Sequence, residues 1–114
     1  MVNVGTYSTL ASLENMKRYE SIEGIDAYLF VNPYYNKPTQ TGLFLHFTTL
    51  AKATKRPVFI YNIKGRCAVN LENDTLLAMI GECPNIVGVK EASGDLVQIG
   101  ELIKKRPPGF LVFS

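Results

Sequence analysis

Ile86-Val87-Gly88-Val89-Lys90 reads as a buried parallel strand that ends in a charge. It is apolar without alternation, as expected of a strand covered on both faces. Three other runs share the pattern: Ala27-Tyr28-Leu29-Phe30-Val31, Pro57-Val58-Phe59-Ile60-Tyr61 and Phe110-Leu111-Val112-Phe113. The four start near residues 27, 57, 86 and 110, at steps of 30, 29 and 24 residues. A (β/α)8 barrel spends roughly 31 residues per unit. Helical stripes lie between the runs: Leu43, Phe44, Phe47, Leu50 and Ala51, then Leu76, Leu77 and Ile80, then Leu96, Ile99, Leu102 and Ile103. Leu10 and Leu13 predict a helix of about three turns ahead of the first strand. Ser93 suits an N-cap, with Gly94 and Asp95 in the first turn, and Pro107-Pro108-Gly109 stops that helix.

The expected fold class is therefore α/β, a partial (β/α)8 TIM barrel in which residues 1–114 form one incomplete domain. A small doubly wound sheet is the alternative, but neither G-x-G-x-x-G nor G-x-x-x-x-G-K-[ST] is present. An open half-barrel leaves two unpaired edge strands and an uncovered apolar face, so it is expected to dimerise, aggregate or stay partly molten unless something covers that face.

Composition narrows the function. The chain has 114 residues, with 12 Lys+Arg against 10 Asp+Glu and a net charge of +2. That balance is too small to argue for nucleic acid or an anionic membrane. With 46% hydrophobic residues the chain is not a disordered tract. No apolar run approaches the ~20 residues of a membrane span. Met1 to Thr6 lack the charged and apolar regions of a signal peptide. Cys67 and Cys83 lack metal or redox spacing, so reduced thiols in a cytoplasm are expected.

Lys90 is the residue that strand grammar does not explain. Alternation puts Ile86, Gly88 and Lys90 on one face and Val87 and Val89 on the other. The valines are expected on the helix side, so Lys90 points into the barrel mouth, with Gly88 leaving space beneath it. A partly desolvated ammonium loses pKa and becomes a nucleophile able to form a Schiff base with a ketone. A snorkelling lysine paired with Glu91 fits the same residues. Tyr61 ends the preceding strand on the same rim, either as a proton relay or as a packed tyrosine. Tyr34 and Tyr35 fall in a proline-stiffened loop, Asn32 to Thr39, that suits a site, an interface or a packed turn. Arg66 follows Gly65 just beyond Tyr61, placed to hold a carboxylate or to face solvent. His46 lacks a visible partner and reads as a packed or surface helix residue. Cys67, beside Arg66, reads as an activated thiol or a small filler.

Three blocks carry a family resemblance: Pro33-Tyr34-Tyr35-Asn36-Lys37-Pro38-Thr39-Gln40, Tyr61-Asn62-Ile63-Lys64-Gly65-Arg66, and Asn85 through Asp95. Together they resemble the dihydrodipicolinate synthase family, within the pyruvate-dependent class I aldolases. The resemblance implies a (β/α)8 barrel of which this chain is about strands 4 to 7, with the helix before strand 4. It implies Lys90 as the Schiff-base lysine, Tyr61 as proton donor and acceptor, Tyr35 as a relay tyrosine given across a dimer interface, and Arg66 as the holder of an aldehyde substrate's carboxylate. The implied reaction condenses pyruvate with L-aspartate 4-semialdehyde, with no metal or organic cofactor, in a cytoplasmic homotetramer. Another pyruvate aldolase and a non-catalytic half-barrel are the alternatives. The family's upstream Thr-Thr segment has no counterpart here. Tyr7 and Ala11 stand where feedback-inhibited members bind lysine through Asn and Glu. Cys67-Ala68 stand where Thr-Gly is common, so an altered backbone near Arg66 is expected if that Gly needs a positive φ.

Overall fold

Every apolar run becomes a strand of one parallel sheet. The computed structural model describes residues 1–34 and 38–114. In chain order the elements are β1 (Val2–Asn3), α1 (Thr9–Glu20), β2 (Tyr28–Val31), α2 (Gln40–Lys52), β3 (Val58–Asn62), α3 (Lys64–Cys67), α4 (Asn73–Glu82), β4 (Ile86–Glu91), α5 (Leu96–Lys105) and β5 (Leu111–Phe113). The strands pair in sequence order, β1-β2-β3-β4-β5, all parallel. A doubly wound sheet reverses its strand order at a switch point. This sheet does not reverse, so it is a segment of a barrel wall.

The helix side holds the core. Tyr28, Phe30, Val58, Ile60, Ile86 and Val89 project from the strands and are buried. They meet Leu43, Phe47, Leu50 and Ala51 of α2, all buried as the periodicity predicts. Helix α4 contributes Leu76 and Met79. Helix α1 is anchored by Met16, whereas Leu10 of the expected stripe is exposed. In α5 only Leu102 of its stripe is fully buried, and Leu96 is 82% exposed. Asp95 caps α5, its Oδ1 accepting from Gln98 N at 3.0 Å. Ser93 therefore does not cap the helix. Gly94 turns the chain at φ +77°, and the Ser93 hydroxyl accepts from Asp95 N instead.

The facing of β4 differs from simple alternation. Val58 pairs with Ile86 but Phe59 pairs with Gly88, so the register shifts and Val87 has no partner on β3. Such a bulge reverses the facing of everything beyond it. Ile86 accordingly joins Val58 in the core, not Gly88 and Lys90. Val87 is half-buried, while Val89 alone of the two valines enters the core. The other sheet face carries Leu29, Phe59, Tyr61, Lys90 and Phe113, all half-buried.

The N-terminal rim is tied by two polar side chains. Arg56 donates to the carbonyls of Tyr19, Glu20 and Ile22 and to the Tyr28 hydroxyl. Asn85 donates to the carbonyls of Ala51, Thr54 and Arg56. These bonds join α1, α2 and the entries to the strands.

His46 is buried between α1 and α2, with Nδ1 2.7 Å from the Thr9 hydroxyl. Among the described residues its Nε2 has no hydrogen-bond partner. Burial holds its pKa down at about 4, against 6.5 for a free histidine. The unfolded chain thus binds the proton more readily, and stability falls as pH drops from about 6.5 to 4, by up to about 3 kcal/mol. Urea unfolding at pH 7 and pH 4.5 checks this. The difference between the two pH values is expected to shrink in His46→Asn.

Candidate active site

The C-terminal ends of the strands form one rim, and Tyr61 and Lys90 meet there. They are register partners on β3 and β4. The Lys90 ammonium nitrogen lies 4.4 Å from the centre of the Tyr61 ring. This is cation–π distance. Gly88 lies two residues before Lys90, on the same face. A Cβ at Gly88 would come within 2.5 Å of the Phe59 ring. The glycine lets the Phe59 ring lie against the β4 backbone, and Phe59 packs edge-on against Phe113 with ring centres 5.6 Å apart. A half-buried amine thus stands over the ring of a phenol, with a packed aromatic pair on the same sheet face.

Arg66 sits on the short α3, directly after β3, and is exposed. Its guanidinium makes no hydrogen bond or ion pair to the described residues, Tyr61 and Lys90 included. Cys67 is buried and its thiol pKa is raised by burial, so it is a filler. Cys83 is likewise a free, buried thiol. Tyr35 lies outside the described residues. Tyr34 packs against Tyr7, with ring centres 5.7 Å apart.

Ala68, the residue after α3, has φ 56° and ψ 22°. The position does require a left-handed backbone, and an alanine occupies it at a cost of roughly 1–2 kcal/mol. Ala68→Gly is expected to raise stability by about 1 kcal/mol, read from the urea midpoint.

One set of residues escaped the sequence reading. Asn32, Asn62 and Glu91 directly follow Val31, Tyr61 and Lys90 on three successive strands, and all three are buried. The signal was available, since three of the four apolar runs are followed at the same offset by an amide or acid. Asn32 Nδ2 donates to Asn62 Oδ1 at 2.7 Å. Asn62 Nδ2 donates to the Glu91 carboxylate at 3.1 and 3.3 Å. Glu91 Oε1 also accepts from Ser93 N at 3.1 Å. Hydrogen bonds of this kind make a buried carboxylate tolerable.

Strand order and rim together define an α/β-barrel segment that presents an amine and a phenol at its C-terminal mouth. The chain belongs to the dihydrodipicolinate synthetase family, whose model matches residues 1–114. It is 47% identical over 107 residues to the 4-hydroxy-tetrahydrodipicolinate synthase of Acidobacterium capsulatum, covering 94% of this chain and 35% of that protein. The Listeria welshimeri enzyme of the same name is 46% identical over 114 residues, covering all of this chain and 39% of that protein. Among solved structures, the synthase of Methylacidiphilum fumariolicum SolV matches with TM-score 0.94 and 39% identity, covering 98% of this chain and 37% of that one. The Cyanidioschyzon merolae enzyme with lysine bound matches with TM-score 0.94 and 38% identity, covering 99% and 38%. The chain thus spans under two fifths of these relatives' length. Among the described residues no helix is long and apolar enough to cross a membrane.

Proposed function

We propose that Lys90 is the Schiff-base lysine of a dihydrodipicolinate-synthase-type site and that Tyr61 moves its protons. The observation that carries this is the pairing of Tyr61 and Lys90 across the β3–β4 ladder, amine over ring at 4.4 Å. In this reading the neutral amine adds to the ketone carbon of pyruvate, and the oxygen gains a proton to give a carbinolamine. Loss of water then forms the imine, with the phenol donating to the departing oxygen. The imine withdraws electrons from the adjacent methyl carbon, which loses a proton and becomes the nucleophile toward L-aspartate 4-semialdehyde. Arg66, exposed and beside the mouth, suits that aldehyde's carboxylate. The same reading makes the assembled enzyme a cytoplasmic homo-oligomer that uses no cofactor.

Incubation with pyruvate followed by borohydride tests the first half. The expected result is a single reduced adduct, mapped by peptide mass to Lys90. A chain folded by circular dichroism that gives no adduct, or gives one spread over surface lysines, overturns the assignment.

A further inference from the structure

We propose that Asn62 and Glu91 are positioning residues, a latch that holds Lys90 over Tyr61 and closes the loop that presents Arg66. The proposal rests on the Schiff-base reading for its purpose but not for its geometry. Asn62 and Glu91 are register partners, one step beyond Tyr61 and Lys90. Their side chains pass to the opposite face of the sheet and bond there. Ala92 N donates to Asn62 O at 2.9 Å and extends the ladder past the pair. The Lys90 backbone is thereby clamped from its C-terminal side.

Asn62 also bonds the chain nine residues on, its Oδ1 accepting from Leu71 N at 3.0 Å. Its Nδ2 lies 3.1 Å from Asn70 Oδ1. Asn32 reaches Val69 O at 3.3 Å. Both ends of the segment that carries Arg66 are therefore tied to one amide. From α5, Gln98 holds the same return through Asn70 and Leu71. The glutamate is needed here as an acceptor and not as a countercharge, for among the described residues no cation pairs with it.

The test exploits donor and acceptor chemistry. Glu91→Gln keeps an acceptor oxygen for Asn62 and Ser93, whereas Glu91→Ala removes it. Asn62→Asp sets two carboxylates against each other, and adding Glu91→Gln restores a donor–acceptor pair with the roles exchanged. The Lys90 ε-methylene protons, carried next to an ammonium seated 4.4 Å from the Tyr61 ring centre, are expected upfield of those of Lys104 and Lys105 in carbon–proton spectra. That offset should persist in Glu91→Gln, vanish in Glu91→Ala and Asn62→Asp, and return in the double variant. Pyruvate trapping at Lys90 should slow on the order of tenfold or more in the two disruptive variants, as for other misplaced reacting groups, and recover with the offset.

An offset and trapping rate unchanged in the folded disruptive variants overturn the latch. An offset that tracks the variants while the unaltered chain forms no pyruvate adduct upholds the latch and removes the Schiff-base reading. If Glu91→Ala unfolds, the comparison of Asn62→Asp with the double variant decides, and equal offsets in the two overturn the proposal.

Discussion

Lys90→Ala is expected to abolish the borohydride-stable pyruvate adduct, a fall of more than about a hundredfold, in keeping with the removal of other catalytic nucleophiles. Lys90→Arg sharpens the test. A guanidinium keeps the charge and the contact with Tyr61, but it does not deprotonate and cannot form the imine. Both variants should keep the circular-dichroism spectrum, because Lys90 is half-buried on the sheet face away from the helix-side core. If the adduct survives in either variant, the nucleophile is another lysine. Lys64, exposed on α3 at the same rim, is the first to examine.

Phe47→Ala is expected to be the most damaging change to the fold. Phe47 is fully buried on α2, edge-on to His46 with ring centres 5.0 Å apart. Truncating such a side chain costs roughly 3–5 kcal/mol, transfer and cavity together. A small domain has only about 5–15 kcal/mol in total, so this loss is a large part of it. Leu45→Ala, two residues away and 58% exposed, should stay within about 0.5 kcal/mol. Urea midpoints of the two variants give the comparison. Equal shifts would mean that α2 does not pack on the sheet through Phe47.

The barrel wall was legible because four continuous apolar runs recur at nearly constant spacing and stop at polar residues. Lys90 and Tyr61 stood out because each ends such a run at the rim where barrel loops gather. Strand β1 was not legible: two residues, Val2–Asn3, are too short to show a pattern and are strands only through pairing with β2. The cap of α5 was misplaced by two residues because Ser93 and Asp95 are both good caps, and only the turn at Gly94 chooses between them. The register shift in β4 belongs to its fit against β3 and leaves no mark on β4 itself. The Asn32–Asn62–Glu91 row was visible as a recurring offset, yet its meaning lies in bonds between strands about thirty residues apart in sequence, which local patterns do not reveal.

The unmatched Val87 makes the chemistry of β4 a matter of parity. The interval from Ile86 to Lys90 is even, so an unbroken strand would send both side chains to the same side. Ile86 is nevertheless in the core, and Lys90 stands on the far face over Tyr61. The extra residue turns an even count into an odd one. The strand can therefore serve two masters, an apolar anchor for the helices at one end and an amine for the mouth at the other. Exchanging one aliphatic residue for another leaves that arithmetic alone. Closing the bulge with no residue removed does not, because four regular steps set the anchor and the amine on the same side of the wall.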